Sequence, residues 1–237
     1  MLEVCVDAAR GAATLHEVMA GLPGTLTAAA RRGRRERDLT GWTIGRVVPM
    51  SGERNDLGVL TAFDSAVREL ERLGAEVVDV SVPCFGDLLD VYLAVTSVEA
   101  IPVLREHEGR GLGHEARSRL EIGQRLSGTH ELAEAHSLRR RISADAREVL
   151  TRCRLMISPT VPLVAPPLGR HGMDDPLARP RTDWWTVEAN LAGLAAMSLP
   201  VDRSAGLPVG LQLMTAPGDD AVLYRVGAAM EAAVAGR

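Results

Sequence analysis

Lysine is absent from this 237-residue chain, because all 27 of its basic residues are arginine. Any mechanism that needs a lysine amine from this chain is excluded. Walker A and S-x-x-K motifs both fail on that ground. The heavy use of Ala, Gly, Arg and Val fits codon bias in a GC-rich genome as part of the cause. Cysteine is scarce: Cys5, Cys84 and Cys153 lie far apart and are odd in number, which points to reduced thiols in a cytoplasm rather than a disulfide framework. No apolar run approaches the roughly 20 residues of a membrane-spanning helix. Glu3, Asp7 and Arg10 interrupt any apolar core of an export signal, so the sequence predicts a cytoplasmic protein without a membrane segment. A net charge of -4 offers no broad basic face for nucleic acid.

The familiar catalytic and cofactor motifs are missing as well. No G-x-S-x-G elbow occurs, since Ser127 and Ser204 lack flanking glycines. Gly109-Arg110-Gly111-Leu112-Gly113 fails as a dinucleotide loop because His114 stands where glycine is required and a helix precedes it. His16-Glu17, His114-Glu115 and His130-Glu131 never extend to H-E-x-x-H. His130 and His136 are separated by about 600° of helical rotation and lie on different faces. No metal and no cofactor is expected.

What is present reads as an ordinary soluble globular chain, 46% hydrophobic and 24% charged. The stretch from Ala12 to Ala20 is a short helical pattern that ends at Gly21-Leu22-Pro23-Gly24. From there to Thr40 the chain is small, polar or arginine-rich, including Arg31-Arg32-Gly33-Arg34-Arg35-Glu36-Arg37, and it reads as a solvated linker or a polyanion contact. Residues 1–40 thus form an N-terminal helix and linker, and the ordered body spans residues 41–237.

Trp42 to Val48 and Val77 to Val82 are strand candidates. Between them a helix capped by Asp56 carries Val59, Phe63, Val67, Leu70 and Leu73 and closes at Gly74, which makes a βαβ unit. Leu88, Tyr92, Val95 and Val98 form a helical stripe that Pro102 should kink or end. Two further helices cover Glu115 to Leu126 and Glu131 to Arg152. Leu155 to Ser158 is a short buried strand, and the proline-rich segment from Pro159 to Pro180 covers something. A helix from Trp184 to about Met197, a strand from Leu207 to Met214 and a last helix capped by Asp219 complete the pattern. The fold class is α/β, a mixed β-sheet covered by helices.

Three segments in order resemble one family: Met156-Ile157-Ser158-Pro159-Thr160-Val161-Pro162, then Thr182 to Leu194 followed by Ser198-Leu199-Pro200, then Gly206 to Met214. Together with the upstream βαβ unit and Ser97-Val98-Glu99-Ala100, they are similar to the C-terminal half of the amidase-signature family. Asp174-Asp175-Pro176 and Leu223-Tyr224-Arg225-Val226-Gly227 favour its amidotransferase A subunits over general amidases.

The resemblance implies a sheet that is incomplete without an N-terminal catalytic half, and strand edges left open by that absence. It also implies amide hydrolysis by a serine, a second serine in a cis peptide and a lysine. A hydroxyl attacks only after a neighbour removes its proton, and backbone N–H groups steady the oxyanion by roughly 3 kcal/mol each. All three groups lie in the half not matched here, so no catalytic residue is assigned and this chain alone is expected to be inactive.

Two substrate contacts carry over from the resemblance. Arg119, before Leu120-Glu121-Ile122-Gly123, matches the arginine that holds the glutamine carboxylate, and Asp183 matches the aspartate that meets the amino group. Arg119 also fits a surface helix arginine, and Asp183 a helix cap. Three functions fit these residues. One is a piece of a split amidase or amidotransferase that acts on a small amide such as glutamine, with an N-terminal half or other amidotransferase chains as partners. Another is a non-catalytic binding protein or partner subunit. The third is a hydrolase with a different nucleophile, such as Cys84 or Cys153.

Overall fold

The computed structural model describes residues 8–52, 55–83, 88–107, 111–165 and 184–234. Five strands form one sheet in the order β2-β1-β3-β5-β4. β1 (Thr43–Val47) and β2 (Glu76–Val80) pair in parallel and are joined by α3 (Leu57–Arg72), so the βαβ unit forms as its periodicity predicts. Val59, Phe63, Val67 and Leu70 are buried along α3. Asp56 precedes α3 in an extended conformation, but its side chain makes no capping hydrogen bond. Its part is backbone geometry, which corrects the cap expected from its residue type.

β3 (Leu155–Pro159) lies parallel to β1 and antiparallel to β5 (Leu207–Thr215), and β4 (Ala195–Ser204) completes the sheet beside β5. Ala205 and Gly206, both at positive φ, form the two-residue turn of the β4–β5 hairpin. Alternation divides the side chains of β3 and β5. Leu155, Ile157, Leu211 and Leu213 face an apolar cluster with Phe63, Leu70 and Met230, whereas Met156 and Met214 belong to a second cluster with Ile142, Trp185 and Leu191. The first face is covered by α3 and α9 (Asp220–Val234). The second is covered by α7 (His130–Leu150) and α8 (Trp184–Ala192). α4 (Leu89–Glu99), α5 (Ile101–Glu106) and α6 (His114–Leu126) pack beside this layer, with α4 set against α6, α7 and α8. The break expected near Pro102 falls at Ala100, and Pro102 sits in the first turn of α5.

Two elements differ from the sequence reading. The stretch read as a linker contains a helix, α2 (Thr25–Glu36), which follows α1 (Ala8–Ala20) and lies along α9. Its buried stripe is Leu26, Ala30 and Gly33, mostly too small to register as an apolar face. Gly33 is required there, because a Cβ would stand 1.9 Å from the Arg225 carbonyl oxygen. Gly24 at the start of α2 has no capping side chain, and the Glu17 carboxylate of α1 accepts the Thr27 N–H at 2.9 Å in its place, together with the Leu26 N–H and the Thr27 hydroxyl.

The second difference is at α8. The helix stops at Ala192 rather than near Met197, because Gly193 turns left-handed (φ +68) and the Leu194 N–H returns to the Ala189 carbonyl. Ala195, Met197, Leu199 and Val201 then face inward on β4, and Pro200 is tolerated on this edge strand beside a register shift at Pro200–Asp202.

Candidate substrate-contact site

Arg119 lies on α6 one turn before Gly123, on the face turned to α4. A Cβ on Gly123 would come within 2.3 Å of the Ser97 carbonyl oxygen, so the glycine allows the two helices to touch. That contact brings the half-buried Arg119 onto α4. Its Nη1 donates to Thr96 Oγ1 at 3.0 Å, and its guanidinium carbon lies 5.8 Å from the Tyr92 ring centroid. The Thr96 hydroxyl in turn donates to the Tyr92 carbonyl at 2.7 Å. Among the described residues Arg119 forms no ion pair with a carboxylate, and its contacts are the Thr96 hydroxyl and the Tyr92 ring. Asp183 lies outside the described residues, immediately before Trp184 of α8.

The placement of α8 rests on a buried polar network that the sequence reading did not identify. Gln212 Nε2 donates to the Trp185 carbonyl at 3.0 Å and to Ser158 Oγ at 3.2 Å. Trp185 Nε1 donates to Asn55 Oδ1 at 2.8 Å, and Asn55 Nδ2 donates to the carbonyls of Met50 and Gly52, both at 2.9 Å. All four side chains are buried. A buried amide or indole N–H without a partner is costly, so this set fixes β3, β5, α8 and the turn before α3 relative to one another. The available signal was Gln212 itself, the one polar residue inside Gly210-Leu211-Gln212-Leu213-Met214, at the position that alternation turns away from Leu211 and Leu213.

Nucleophile chemistry is poorly served among the described residues. Burial pushes the Cys153 thiol above its ordinary value, with Arg152 opposing the shift and Glu76 adding to it, so it stays protonated and unreactive near neutrality. Cys5 and Cys84 lie outside the described residues. Three serines bond to carbonyls or to a hydroxyl rather than to a histidine or a carboxylate. Ser158 donates to the Pro159 carbonyl, Ser143 donates to the Ala192 carbonyl, and Ser198 pairs with the Thr160 hydroxyl at 2.7 Å. His16 faces the Tyr224 hydroxyl at 3.2 Å, and His130 pairs with Glu134 on the surface.

Comparison with known proteins places this geometry. The family described as Amidase matches residues 9–224. The A subunit of glutamyl-tRNA(Gln) amidotransferase from Salinispora tropica is 34% identical, over 97% of this chain and 54% of that protein. Its counterpart from Streptomyces avermitilis is 33% identical, over 97% of this chain and 53% of that protein. The crystal structure of the A subunit from Thermotoga maritima superposes with a TM-score of 0.60 at 31% identity, covering 80% of this chain and 42% of that one. A crystal structure of an amidase superposes with a TM-score of 0.78 over 95% of this chain and 51% of that one; at 24% identity it supports the fold alone. The chain spans about half the length of the curated relatives it matches. With the family match covering most of the chain and the same mixed sheet in the superposed structures, this chain belongs to the amidase-signature family, and it resembles the amidotransferase A subunits within it.

Proposed function

We propose that this chain supplies the C-terminal half of an amidase-signature enzyme of the amidotransferase type, and that it cleaves no amide by itself. The observation that carries this reading is a family match over residues 9–224 in a chain that spans only about half the length of its relatives and has no lysine. Amide hydrolysis of the family type needs a lysine to manage the proton of a serine hydroxyl, and this chain contains no lysine. What this chain contributes is the binding side. Arg119, held by the Thr96 hydroxyl and the face of Tyr92, presents its remaining donors to the carboxylate of a small amide such as glutamine. Asp183, which immediately precedes α8, meets the substrate amino group. The partners are a polypeptide with the other half of the fold and the remaining chains of a multi-chain amidotransferase, in the cytoplasm.

The test is glutaminase and general amidase activity of the purified chain, with and without the co-expressed N-terminal half of the Salinispora tropica protein. Activity is expected only with the added half. In that complex Arg119→Ala should raise KM for glutamine roughly 10- to 100-fold, the value of a charge-assisted hydrogen bond of about 1.5–3 kcal/mol. Activity of the chain alone would overturn the proposal.

A further inference from the structure

The arginine-rich run of residues 31–37 ends at a cavity. Gly33 lets α2 lie against α9 at the Arg225 carbonyl, so Arg32 of α2 and Arg225 of α9 reach the same Glu36 oxygen, at 2.8 and 3.4 Å. The sheet supplies a third arginine. Trp42 directly precedes β1 and Arg154 directly precedes β3, and the Arg154 N–H donates to the Thr43 carbonyl at 2.8 Å, which holds the two strand starts side by side. The Trp42 ring then gathers two cations, with the guanidinium carbons of Arg225 and Arg154 at 4.8 and 5.3 Å from its centroid. Arg32, Arg154, Arg225 and Trp42 line a cavity of about 350 Å³, and Ala28, Ala29, Ala221 and Val222 give it an apolar wall. A volume of that order suits a small ligand.

Positive charge there is under-compensated. The one Glu36 carboxylate serves Arg32, Arg225 and, at 3.6 Å, Arg35. Among the described residues Arg154 forms no ion pair with a carboxylate. Asp38 stands near enough for the Arg225 charge to add to the Thr40 hydrogen bonds that hold its carboxyl low. Asp219 precedes α9 and Asp220 opens it, but neither lines the cavity. Guanidiniums gathered on one indole repel each other, and an anion in the cavity offsets that repulsion.

We propose that this cavity binds a small phosphate ester, with Arg32, Arg154 and Arg225 on its phosphate oxygens and the alanine wall against its organic body. Guanidiniums delivered by three separate elements suit an anion with three or more oxygens, whereas one bidentate arginine satisfies a planar carboxylate. The size of the cavity favours a small molecule over a nucleic-acid backbone, for which a chain of net charge -4 has no broad basic face. Trp42 packs on the face of the sheet covered by α3 and α9, whereas Arg119 lies with α4 beside α7 and α8 on the other. The cavity is therefore separate from the substrate contact proposed above and independent of that reading.

Isothermal titration calorimetry of the full chain with phenyl phosphate and with inorganic phosphate tests the site. Phenyl phosphate should bind saturably, at least about threefold more tightly than inorganic phosphate because its ring adds apolar contact, and more weakly as salt rises. Arg154→Ala/Arg225→Ala should lose affinity for it at least about tenfold. Thr25→Glu, at an exposed lining position in the first turn of α2, removes no packed side chain and places a carboxylate at the rim. It should weaken binding by a similar factor, so the outcome does not hang on the stability of the double variant. Arg117→Ala, exposed on α6, should bind as wild type does. Unchanged binding in both the double variant and Thr25→Glu, or a cooperatively melting wild-type chain that takes up no phenyl phosphate, would overturn the proposal. So would a short single-stranded RNA that displaces phenyl phosphate and binds more tightly, since the arginines would then serve a nucleic-acid backbone.

Discussion

On one face of the sheet Ile44, Ile157, Leu211 and Leu213 pack against Phe63, Leu70 and Met230; on the other, Ser158 and Gln212 stand among Met156, Met214 and Trp185. The same two strands, β3 and β5, build both faces. On the apolar face the stabilisation scales with area and is indifferent to direction, so side chains of similar volume could replace one another. On the polar face each donor must meet its acceptor, so few arrangements of α8 satisfy the set. The first face is held by apolar packing alone, and the second adds a polar set to its own apolar cluster. The second fixes where α8 starts, and Asp183 immediately precedes that start.

That contrast is open to direct attack. The largest effect is expected from Phe63→Ala on the apolar face, at about 3–5 kcal/mol of stability, because a fully buried ring leaves a cavity. Urea unfolding with an unchanged m-value would check it. A smaller loss, about 1–3 kcal/mol, is expected from Gln212→Leu, which keeps the volume but removes the hydrogen bonds to the Trp185 carbonyl and the Ser158 hydroxyl. It should also shift the fluorescence of Trp185, a change that Phe63→Ala need not make while the protein stays folded. A Gln212→Leu variant as stable as wild type, with unchanged emission, would show that the two faces follow one rule.

The smallest effect extends the comparison to the α1–α2 pair, which is held by a carboxylate rather than by a large apolar area. The hydrogen bond from the Thr27 hydroxyl holds the Glu17 carboxyl below the ordinary carboxylate value, and the backbone N–H groups of Thr27 and Leu26 and the neighbouring His16 add to this against the cost of burial. A depressed value in the folded state means that the charged form stabilises. That stabilisation is fully present above the unfolded value of about 4.3 and is lost as pH falls through the lower folded value. Glu17→Gln should therefore lower Tm at neutral pH and flatten the acid limb of a Tm-against-pH profile below about pH 4.3.

Much of the frame was legible because its signals are local. The βαβ unit followed from strand composition on either side of the Val59–Phe63–Val67–Leu70 stripe, and α6 and α7 followed from their spacing. The misses share one cause. α2 lacks a bulky stripe because Gly33 and Ala30 are there to admit α9, and residues 195–197 read as helix because alanine and methionine favour it until Gly193 and pairing with β5 decide otherwise. The family pattern singled out Arg119 just before Leu120–Gly123, and the structure sets Arg119 and Gly123 against α4. Asn55 and Trp185 lie 130 positions apart, and no local period connects them.

The sequence by itself determined that no lysine chemistry arises from this chain, that its class is α/β, and that its motifs follow the amidase-signature order, since each of these is a property of residue identity and near-neighbour spacing. Only the tertiary structure decided that Gln212 anchors Trp185, that Glu17 caps a helix it does not belong to, and that α1 buries its alanines while Leu15, Val18 and Met19 stay outside. A buried polar group or an apolar stripe is satisfied by whatever the fold brings beside it, and those partners come from distant parts of the chain.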